Sequence, residues 1–231
     1  MNQSELFRRG LAGLGLDLAE PAIEQLRTYL AELQKWNRRI NLVAKAPPET
    51  LIEIHFLDSL TLLPLVQGCP EPGLMDVGSG AGFPGLVLKI ACPELPVILV
   101  EPRRKRAGFM RQVIRTLKLK GVTVLESRLE MDNPALTGFQ SAMPIITSRA
   151  FSSVHLFLEL AAPFCAPAGR VICMKGRKGA AEIAEWQKLS PASPFNLTET
   201  IETVLPFSAV PRKLLLFTKK PGREGKFSLQ V

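Results

Sequence analysis

The sequence predicts an α/β fold in which a mostly parallel sheet carries helices on both faces and follows an N-terminal helical extension. The first observation is a series of short apolar runs, mostly separated by helix-length segments: residues 74–77, 97–100, 122–125, 145–147 and 171–174. Strands that alternate with helices form parallel sheets covered on both faces. The second observation is that apolar residues before position 70 recur mainly every three or four positions, which is typical of amphipathic helices.

The composition is that of an ordinary globular chain. Of 231 residues, 46% are hydrophobic and 22% are charged, which excludes disordered, collagen-like and coiled-coil proteins. No pair of the four cysteines has a C-x-x-C spacing, so we expect neither a zinc site nor a disulfide framework. No stretch of the sequence approaches the ~18 uncharged apolar residues of a membrane span. We therefore expect a cytoplasmic protein without metal or membrane partners.

The helical extension comprises residues 1–70. Pro21 suits the first turn of a helix, and the apolar residues after it share one face: Ile23, Leu26, Leu30, Leu33 and Ile40. A second helix is expected after Pro47 and Pro48, and a break follows at residues 68–73. We expect residues 71–220 to form the main domain and residues 221–231 to form a mobile tail.

The end of the main domain departs from the parallel pattern. Residues 201–205 and 213–218 flank a short segment that contains proline. Strands joined by so short a connection pair antiparallel. We therefore expect them to extend the sheet as an antiparallel pair.

The first strand runs directly into a glycine-rich loop at residues 78–85. Glycines allow a sharp turn and the close approach of a ligand to the backbone, and ligands bind beyond the carboxyl ends of parallel strands. Residues 80–85 satisfy the dinucleotide fingerprint G-x-G-x-x-G, and Glu101 stands 21 residues after Gly80, where a ribose-binding acid belongs. An NAD-linked oxidoreductase is therefore one hypothesis.

S-adenosylmethionine is the cofactor that these residues favour. Gly78 already follows the strand and Asp76 precedes it, so the loop has the form D-x-G-x-G-x-G with a later acid. We expect Glu101 to accept hydrogen bonds from both ribose hydroxyls, and the backbone of Gly78 and Gly80 to lie along the methionine part. Asp76 is expected to help to hold the ammonium group, directly or through water.

Polar residues follow other predicted strands as well. Glu130 lies in the loop after the third strand, where it is either a ligand or a solvated acid. Arg149 is the only basic residue between Arg128 and Arg170 and lies at the end of the fourth strand. Because ligands bind at this edge of a parallel sheet, Arg149 is expected to have a functional or site-organising role.

The net charge of +8, from 29 lysines and arginines against 21 acidic residues, favours a polyanionic partner, nucleic acid first and an anionic membrane second. Residues 49–100 carry one basic and six acidic groups, whereas residues 101–128 carry nine basic and two acidic groups. The basic segment begins beside the predicted ribose acid, so we expect RNA contacts there and after the fifth strand. The candidates are Arg103, Arg104, Lys105, Arg106, Arg111, Lys175, Arg177 and Lys178.

His55, Asp58 and Ser59 share one face of the second predicted helix, at positions i, i+3 and i+4. A hydrolase triad requires side chains that converge from separate elements around a nucleophile, so this spacing argues against a triad. We expect His55 and Asp58 to bond the extension to the site region instead.

Several motifs in one order make the chain resemble the RsmG family, also called glucose-inhibited division protein B. They are Trp36-Asn37 with Asn41-Leu42, His55-x-x-Asp58-Ser59-Leu60, the loop at residues 76–85, Lys105-Arg106, Ser148-Arg149-Ala150-Phe151 and Lys175-Gly176. The resemblance covers about residues 20 to 180. Val43 departs from the family's Asn-Leu-Thr pattern, and Pro102 follows the motif acid.

The resemblance implies a class I (Rossmann-like) methyltransferase that uses S-adenosylmethionine and releases S-adenosylhomocysteine. It implies, as target, N7 of one guanine in the decoding region of small-subunit (16S) ribosomal RNA, free or in an assembling 30S particle. Carried over by matching positions, the cofactor residues are Gly78, Phe83, Leu129, Glu130 and Arg149, with Glu101 on the ribose. We expect a monomer.

Guanine N7 has a lone pair and no proton to lose, so its methylation needs no general base and we name no catalytic residue. Alignment of N7, the methyl carbon and sulfur is expected to supply most of the catalysis. A non-catalytic ribosome-assembly factor with the same fold and charge is a further hypothesis. A protein or small-molecule methyltransferase would leave the basic clusters unexplained.

Overall fold

The computed structural model describes residues 2–149 and 153–221. Its first part is helical, with α1 at Gln3–Gly13 and α2 at Glu20–Asn37. Asn2 caps α1 by accepting the backbone N–H of Glu5 at 2.8 Å. Pro21 lies in the first turn of α2, as predicted. The sequence did not predict α1 as a separate helix, because its apolar pattern is short and contains two glycines.

The predicted second helix is a series of short helical segments. They are α3 at Pro48–Leu51, a π-helical turn at Ile52–Leu57, α4 at Asp58–Leu60 and α5 at Leu63–Gln67. In the π-helical turn, the buried carboxylate of Glu53 accepts the backbone N–H groups of Phe207 and Ser208, each at 2.7 Å. These bonds hold the extension against the segment that contains Phe207 and Ser208.

Within the described residues, seven strands form one sheet. They are β1 Leu74–Val77, β2 Val97–Val100, β3 Val122–Leu125, β4 Met143–Arg149, β5 Cys165–Lys175, β6 Phe195–Val204 and β7 Pro211–Lys219. Their order is β3-β2-β1-β4-β5-β7-β6. Strands β1 to β5 are mutually parallel, and β7 is antiparallel to both β5 and β6. The predicted parallel sheet and antiparallel pair are confirmed.

Several strands are longer than the apolar runs that predicted them. The pairing of β4 with β5 continues through Ser148 and Arg149, whose partners are Cys173 and Met174. Backbone pairing does not require an apolar side chain, so the apolar pattern ends before the strand does. As a result Arg149 belongs to β4 itself and projects from its carboxyl end.

The connecting helices are α6 Gly85–Ala91 after β1, α7 Arg104–Leu117 after β2, α8 Val154–Ala161 after β4 and α9 Gly179–Leu189 after β5. The connection between β3 and β4 contains a 3₁₀ segment at Pro134–Phe139. α7 carries much of the basic segment and ends at Leu117, because Lys118 has a left-handed φ of 52° that caps it.

Hydrophobic clusters cover both faces of the sheet. One joins the N-terminal helices with α6 and α7 and contains Phe7, Tyr29 and Phe56. The other lies under α8 and α9 and contains Phe157 and Trp186. The N-terminal helices therefore pack against α6 and α7 on one face of the sheet.

β1 and β4 are neighbours in the sheet although β2 and β3 lie between them in the chain. The strand order therefore reverses at the β1/β4 pair, and open α/β sheets bind their ligands at the carboxyl ends beside such a reversal. No helix within the described ranges is long and apolar enough to span a bilayer. The predicted tail, apart from residue 221, lies outside the described residues, as do Ala150 and Phe151.

Candidate functional site

The glycine loop after β1 has a backbone that side chains would not allow. Gly78, Gly80 and Gly82 have positive φ angles of 71°, 59° and 93°, a region that other residues rarely adopt. A Cβ on Gly82 would also lie 2.5 Å from Leu86 Cδ1. The N–H of Gly78 donates to the carbonyl of Val100 at 2.8 Å, which fixes the loop at the end of β2.

Asp76 lies beneath the loop and is fully buried. Its Oδ2 accepts the N–H of Gly85 at 2.9 Å, so it anchors the start of α6. Its Oδ1 has no hydrogen-bond partner among the described residues. Burial raises the pKa of Asp76 to about 7. The structure therefore assigns Asp76 a loop-anchoring role that the sequence did not suggest, and its contact with an ammonium group stays a prediction.

Glu101 follows β2 and holds the loop to the start of α7. Its Oε2 accepts the N–H of Gly80 and its Oε1 accepts the N–H of Arg103, both at 2.9 Å. Arg106 Nη1 lies 3.9 Å from the same carboxylate. Each carboxylate oxygen has two lone pairs, so both oxygens retain acceptor capacity for hydroxyl groups.

A cavity of about 350 Å³, here called the Gly78 cavity, is lined by the two chain neighbours of Glu101 but not by Glu101 itself. It is lined by Val77, Gly78, Val100, Pro102, Ser127, Arg128, Leu129, Glu130 and Leu160. Leu129 is buried whereas Glu130 is exposed. Ser127 Oγ is buried and has no partner among the described residues. Apolar walls with a few polar groups suit a flat heterocycle. The cradle and the unpartnered hydroxyl thus fit the adenosine part of S-adenosylmethionine.

Phe83 lies on the other side of the loop, in a stack of rings. Its ring is 5.3 Å from that of Tyr29, with an interplanar angle of 12°, and 5.0 Å from that of His55, at 19°. The hydroxyl of Tyr29 donates to the carbonyl of Ala81. Phe83 is 2% exposed and does not line the Gly78 cavity, so it supports the glycine loop from below.

Arg149 joins β4 to the π-helical turn of the extension. Its Nη1 donates to the carbonyl of Ile54 at 2.9 Å, and its Nη2 lies 3.0 Å from Nδ1 of His55. Asp58 Oδ2 is 3.9 Å from Arg149, and Asp58 Oδ1 accepts from Arg212 at 2.8 Å. The prediction that His55 and Asp58 bond the extension to the site region is confirmed.

The surroundings of His55 set its protonation. Burial first, and the charge of Arg149 second, lower the pKa of His55 to about 3. The ring is therefore neutral at physiological pH, with Nδ1 facing a guanidinium donor. Ser59 Oγ donates to the backbone carbonyl of His55 rather than to its ring. The described geometry thus agrees with the rejection of a triad.

A second cavity of about 620 Å³, here called the Arg149 cavity, lies at the ends of β4 and β5. It is lined by Ile54, His55, Asp58, Arg149, Met174, Lys175, Gly176, Arg177, Lys178, Glu182 and Arg212. The five basic residues outnumber the two acidic ones, so the cavity suits an anionic ligand. The Gly78 cavity lies over β1 and β2, so the two cavities flank the β1/β4 reversal.

The structure places five of the predicted RNA-binding residues at the start of α7 or along it, and the other three at the Arg149 cavity. Arg103, Arg104 and Lys105 are exposed at the start of α7, next to Glu101. Arg111 pairs with Glu126 at 3.0 Å and Arg106 faces Glu101, so these two have protein partners. The remaining three, Lys175, Arg177 and Lys178, line the Arg149 cavity.

Sequence reasoning missed Arg212, Glu182 and Ser127 as site residues. Arg212 is on β7 and pairs with Asp58, 154 positions away, and Glu182 is on α9 and pairs with Lys175 at 2.7 Å. Neither carries a local motif. Ser127 stood in the loop that the sequence singled out, but only its buried, unpartnered hydroxyl distinguishes it.

The chain is similar in sequence to a family of known proteins. The family model described as "GidB: rRNA small subunit methyltransferase G" matches residues 22–203. "Ribosomal RNA small subunit methyltransferase G" of Desulfotalea psychrophila is 43% identical over 210 residues, which cover 90% of this chain and 94% of that protein. The protein of the same name from Syntrophotalea carbinolica is 37% identical over 213 residues, with 92% and 96% covered.

Solved structures of low sequence identity share the fold. A SAM-dependent methyltransferase from Aquifex aeolicus has a TM-score of 0.56 and 16% identity, with 82% of this chain and 98% of that chain covered. A predicted O-methyltransferase from Agrobacterium tumefaciens has a TM-score of 0.58 and 19% identity, with 70% of this chain and 80% of that chain covered. The predicted class I methyltransferase fold is confirmed.

Proposed function

Because the chain belongs to the rRNA small subunit methyltransferase G family, we propose that it transfers a methyl group from S-adenosylmethionine to N7 of one guanine in 16S ribosomal RNA. The observation that carries the proposal is the pair of cavities that flank the β1/β4 reversal. One has a glycine cradle and an adjacent carboxylate, and the other has five basic residues. A donor and an acceptor placed in them would meet above the ends of β1 and β4.

S-adenosylmethionine is the donor of this family, which decides between the two cofactors that the glycine loop allows. In the proposed complex Glu101 accepts the ribose hydroxyls through its remaining lone pairs. The adenine lies between the apolar walls of the Gly78 cavity, near Leu129 and the Ser127 hydroxyl. The backbone of Gly78 and Gly80 follows the methionine part.

Phe83 and Arg149 support this arrangement from outside the Gly78 cavity. Phe83 packs under the glycine loop, and Arg149 lies at the boundary of the two cavities. Asp76 reaches the ammonium group only through its unpartnered Oδ1 or through water. Glu130 is exposed at the mouth of the Gly78 cavity, so we expect it to contribute least to cofactor binding.

The reaction needs no residue that accepts a proton, since N7 bears none. The bound cofactor supplies an activated methyl group. The protein holds the cofactor and the base in line, which is the main source of acceleration in such a transfer. The neutral ring of His55 and the ion-paired Asp58 are then structural groups of the cavity wall rather than acid–base catalysts.

RNA is held by the exposed basic residues around the two cavities. Arg103, Arg104 and Lys105 lie on the cofactor side, and Arg177 and Lys178 lie on the other side. N7 lies on the major-groove edge, which is deep and narrow in A-form RNA. We therefore expect the target guanine to be unstacked from its neighbours before transfer.

Domain organisation, oligomeric state and location belong to the same proposal. Residues 1–70 are proposed as a helical extension, 71–220 as the methyltransferase domain and 221–231 as a tail. The chain is proposed to act as a monomer. A ribosomal substrate supports a cytoplasmic location.

The deciding experiment is transfer of a labelled methyl group to 30S subunits that lack the modification, followed by mapping of the modified base. Methylation of a single guanine at N7 is the expected result. Absence of transfer despite cofactor binding would favour the assembly-factor hypothesis. Calorimetry with S-adenosylmethionine, S-adenosylhomocysteine and NAD tests the cofactor, and binding of NAD alone would overturn the proposal.

A further inference from the structure

The Arg149 cavity contains an ion pair that the proposed mechanism does not use. Lys175 Nζ at the end of β5 lies 2.7 Å from Glu182 Oε2 in the first turn of α9. Their side chains are 11% and 21% exposed, and both residues line the cavity. The pair therefore presents a donor and an acceptor side by side on the cavity wall.

Glu182 is held firmly in this position. Its Oε2 also accepts the backbone N–H of Val154 at 3.1 Å, which connects the start of α8 to that of α9. Both of these contacts involve Oε2. The second oxygen, Oε1, belongs to a carboxylate whose orientation is already fixed, so it is preorganised to receive a ligand donor.

Asp58, the other acid of this cavity, is committed to protein partners. Its Oδ1 accepts from Arg212 at 2.8 Å, and its Oδ2 lies 3.9 Å from Arg149. A carboxylate between two arginines offers a poor site for a neutral N–H donor. Glu182 is therefore the acid of the cavity wall that is better placed to contact a base.

Guanine carries an acceptor and a donor next to each other, O6 and N1–H, whereas adenine carries a donor at N6 and an acceptor at N1. Resting on the proposed function, we propose that Lys175 and Glu182 read the target base as guanine, with Lys175 donating to O6 and Glu182 accepting from N1–H. Adenine would place its N6 donor against the Lys175 donor and its N1 acceptor against the Glu182 acceptor. The polar atoms left unpaired cost affinity.

The order of groups along the sheet fits the order of atoms on the base. N7, O6 and N1 follow one another around the perimeter of guanine, from the Hoogsteen edge to the Watson–Crick edge. Arg149, at the β1/β4 boundary, pairs with Met174 on β5, and Lys175 and Glu182 lie further from that boundary. With N7 at the boundary toward the donor, O6 and N1 point toward the ion pair. Exposed Arg177 and Lys178 are then positioned at the rim for the phosphate.

A charge swap tests base reading with the ion pair retained, although a lysine side chain cannot accept the N–H of Val154. In the double variant Lys175→Glu with Glu182→Lys, the ion pair is retained but donor and acceptor exchange places. We expect methyl transfer to 30S subunits to fall at least tenfold in kcat/KM, with S-adenosylmethionine affinity unchanged. The matched control is the same exchange at the exposed pair Arg8–Glu20, 2.7 Å apart, which is expected to leave kcat/KM unchanged.

The single variant Glu182→Gln covers the case in which the swap does not fold. It retains a side-chain oxygen for Val154 and is expected to lower kcat/KM by about 10- to 100-fold, the range of one specific base contact. GMP is expected to inhibit the wild type more strongly than AMP, and this preference is expected to disappear in Glu182→Gln. Wild-type activity in the folded swap, or an unchanged GMP preference in Glu182→Gln, would overturn the inference. Failure of the wild type to methylate 30S subunits would instead overturn the proposed function.

Discussion

The guanidinium of Arg149 lies over the ring of Phe83, 5.0 Å from its centroid. This contact joins the end of β4 to the glycine loop after β1, and the same guanidinium bonds the π-helical turn through Ile54 and His55. One buried cation thus connects the helical extension, the cofactor loop and the Arg149 cavity. Several consequences of this arrangement are open to measurement.

Replacement of Arg149 by methionine should destabilise the protein strongly. The change removes the donor to Ile54 and His55 and one of the two arginines beside Asp58. Loss of one partner from a buried charged cluster costs roughly 3–5 kcal/mol, and urea denaturation measures it. Arg170→Met, on the neighbouring strand and partly exposed, is the matched control. A free energy of unfolding within about 1 kcal/mol of the wild type would contradict the connecting role of Arg149.

Glu101→Gln should weaken cofactor binding. The amide keeps one acceptor oxygen but loses the negative charge that strengthens hydrogen bonds from hydroxyl and backbone donors. Hydrogen bonds to charged groups contribute about 1.5–3 kcal/mol, so the Kd for S-adenosylmethionine is expected to rise by about 10- to 100-fold in calorimetry. The exposed Glu94→Gln should leave the Kd unchanged. Equal affinities for both variants would remove Glu101 from the site.

Asp76 should make stability depend on pH. Its pKa is raised from 3.8 to about 7 in the folded chain, so the folded state retains a proton that the unfolded state releases. The stabilisation by this protonated carboxyl is complete below pH 3.8 and is lost as the pH rises through 7.

The isosteric Asp76→Asn has no such proton to lose, so its stability relative to the wild type should increase between pH 5 and pH 8. The expected gain is on the order of 1–3 kcal/mol, measured by denaturant unfolding at both pH values. His55 is present in both proteins, so its own titration cancels in the difference. Asp132→Asn, at an exposed acid, serves as control. A difference that does not change with pH would show that Asp76 is ionised throughout this range.

The two ends of α7 should contribute differently to RNA binding. Arg103→Ala with Arg104→Ala removes exposed charges beside Glu101, whereas Lys118→Ala with Lys120→Ala removes charges at the amino-terminal edge of the sheet, near Gly121. Each lost phosphate contact reduces the slope of log K against log salt by about 0.7–0.9. We expect a reduction of about 1.5 for the first pair and none for the second. Equal salt slopes for the two double variants would mean that the basic charge attracts RNA without a defined orientation.

Arg111 should contribute less to RNA binding than Arg104 does. The sequence groups it with Arg103 and Arg104, but its ion pair with Glu126 at 3.0 Å already satisfies it. Arg111→Ala should therefore change the salt slope less than Arg104→Ala does, in the same RNA-binding titration. A larger effect of Arg111→Ala would show that the pair with Glu126 opens when RNA binds.

Local sequence patterns were sufficient to predict the sheet. The positions of the apolar runs located the five parallel strands, and the short connection before residues 213–218 identified the antiparallel pair. The glycine loop was readable as well, because positive φ angles at Gly78, Gly80 and Gly82 require that residue type. The predicted ends of the strands were less accurate, because β4 continues through the polar residues Ser148 and Arg149.

The candidate site depended on the sequence only in part. Asp76 was identified by its place before the glycine loop, and Glu101 and Arg149 by their places at strand ends. Yet Asp76 anchors a helix start and Arg149 binds the extension 94 positions away. Glu182 and Arg212 were not identified at all. Hydrophobic periodicity reports which face of an element is buried, and motifs report local backbone geometry. Which charged side chains meet at the Arg149 cavity depends on how β5, β7, α9 and the extension pack together, and only the tertiary structure decides that.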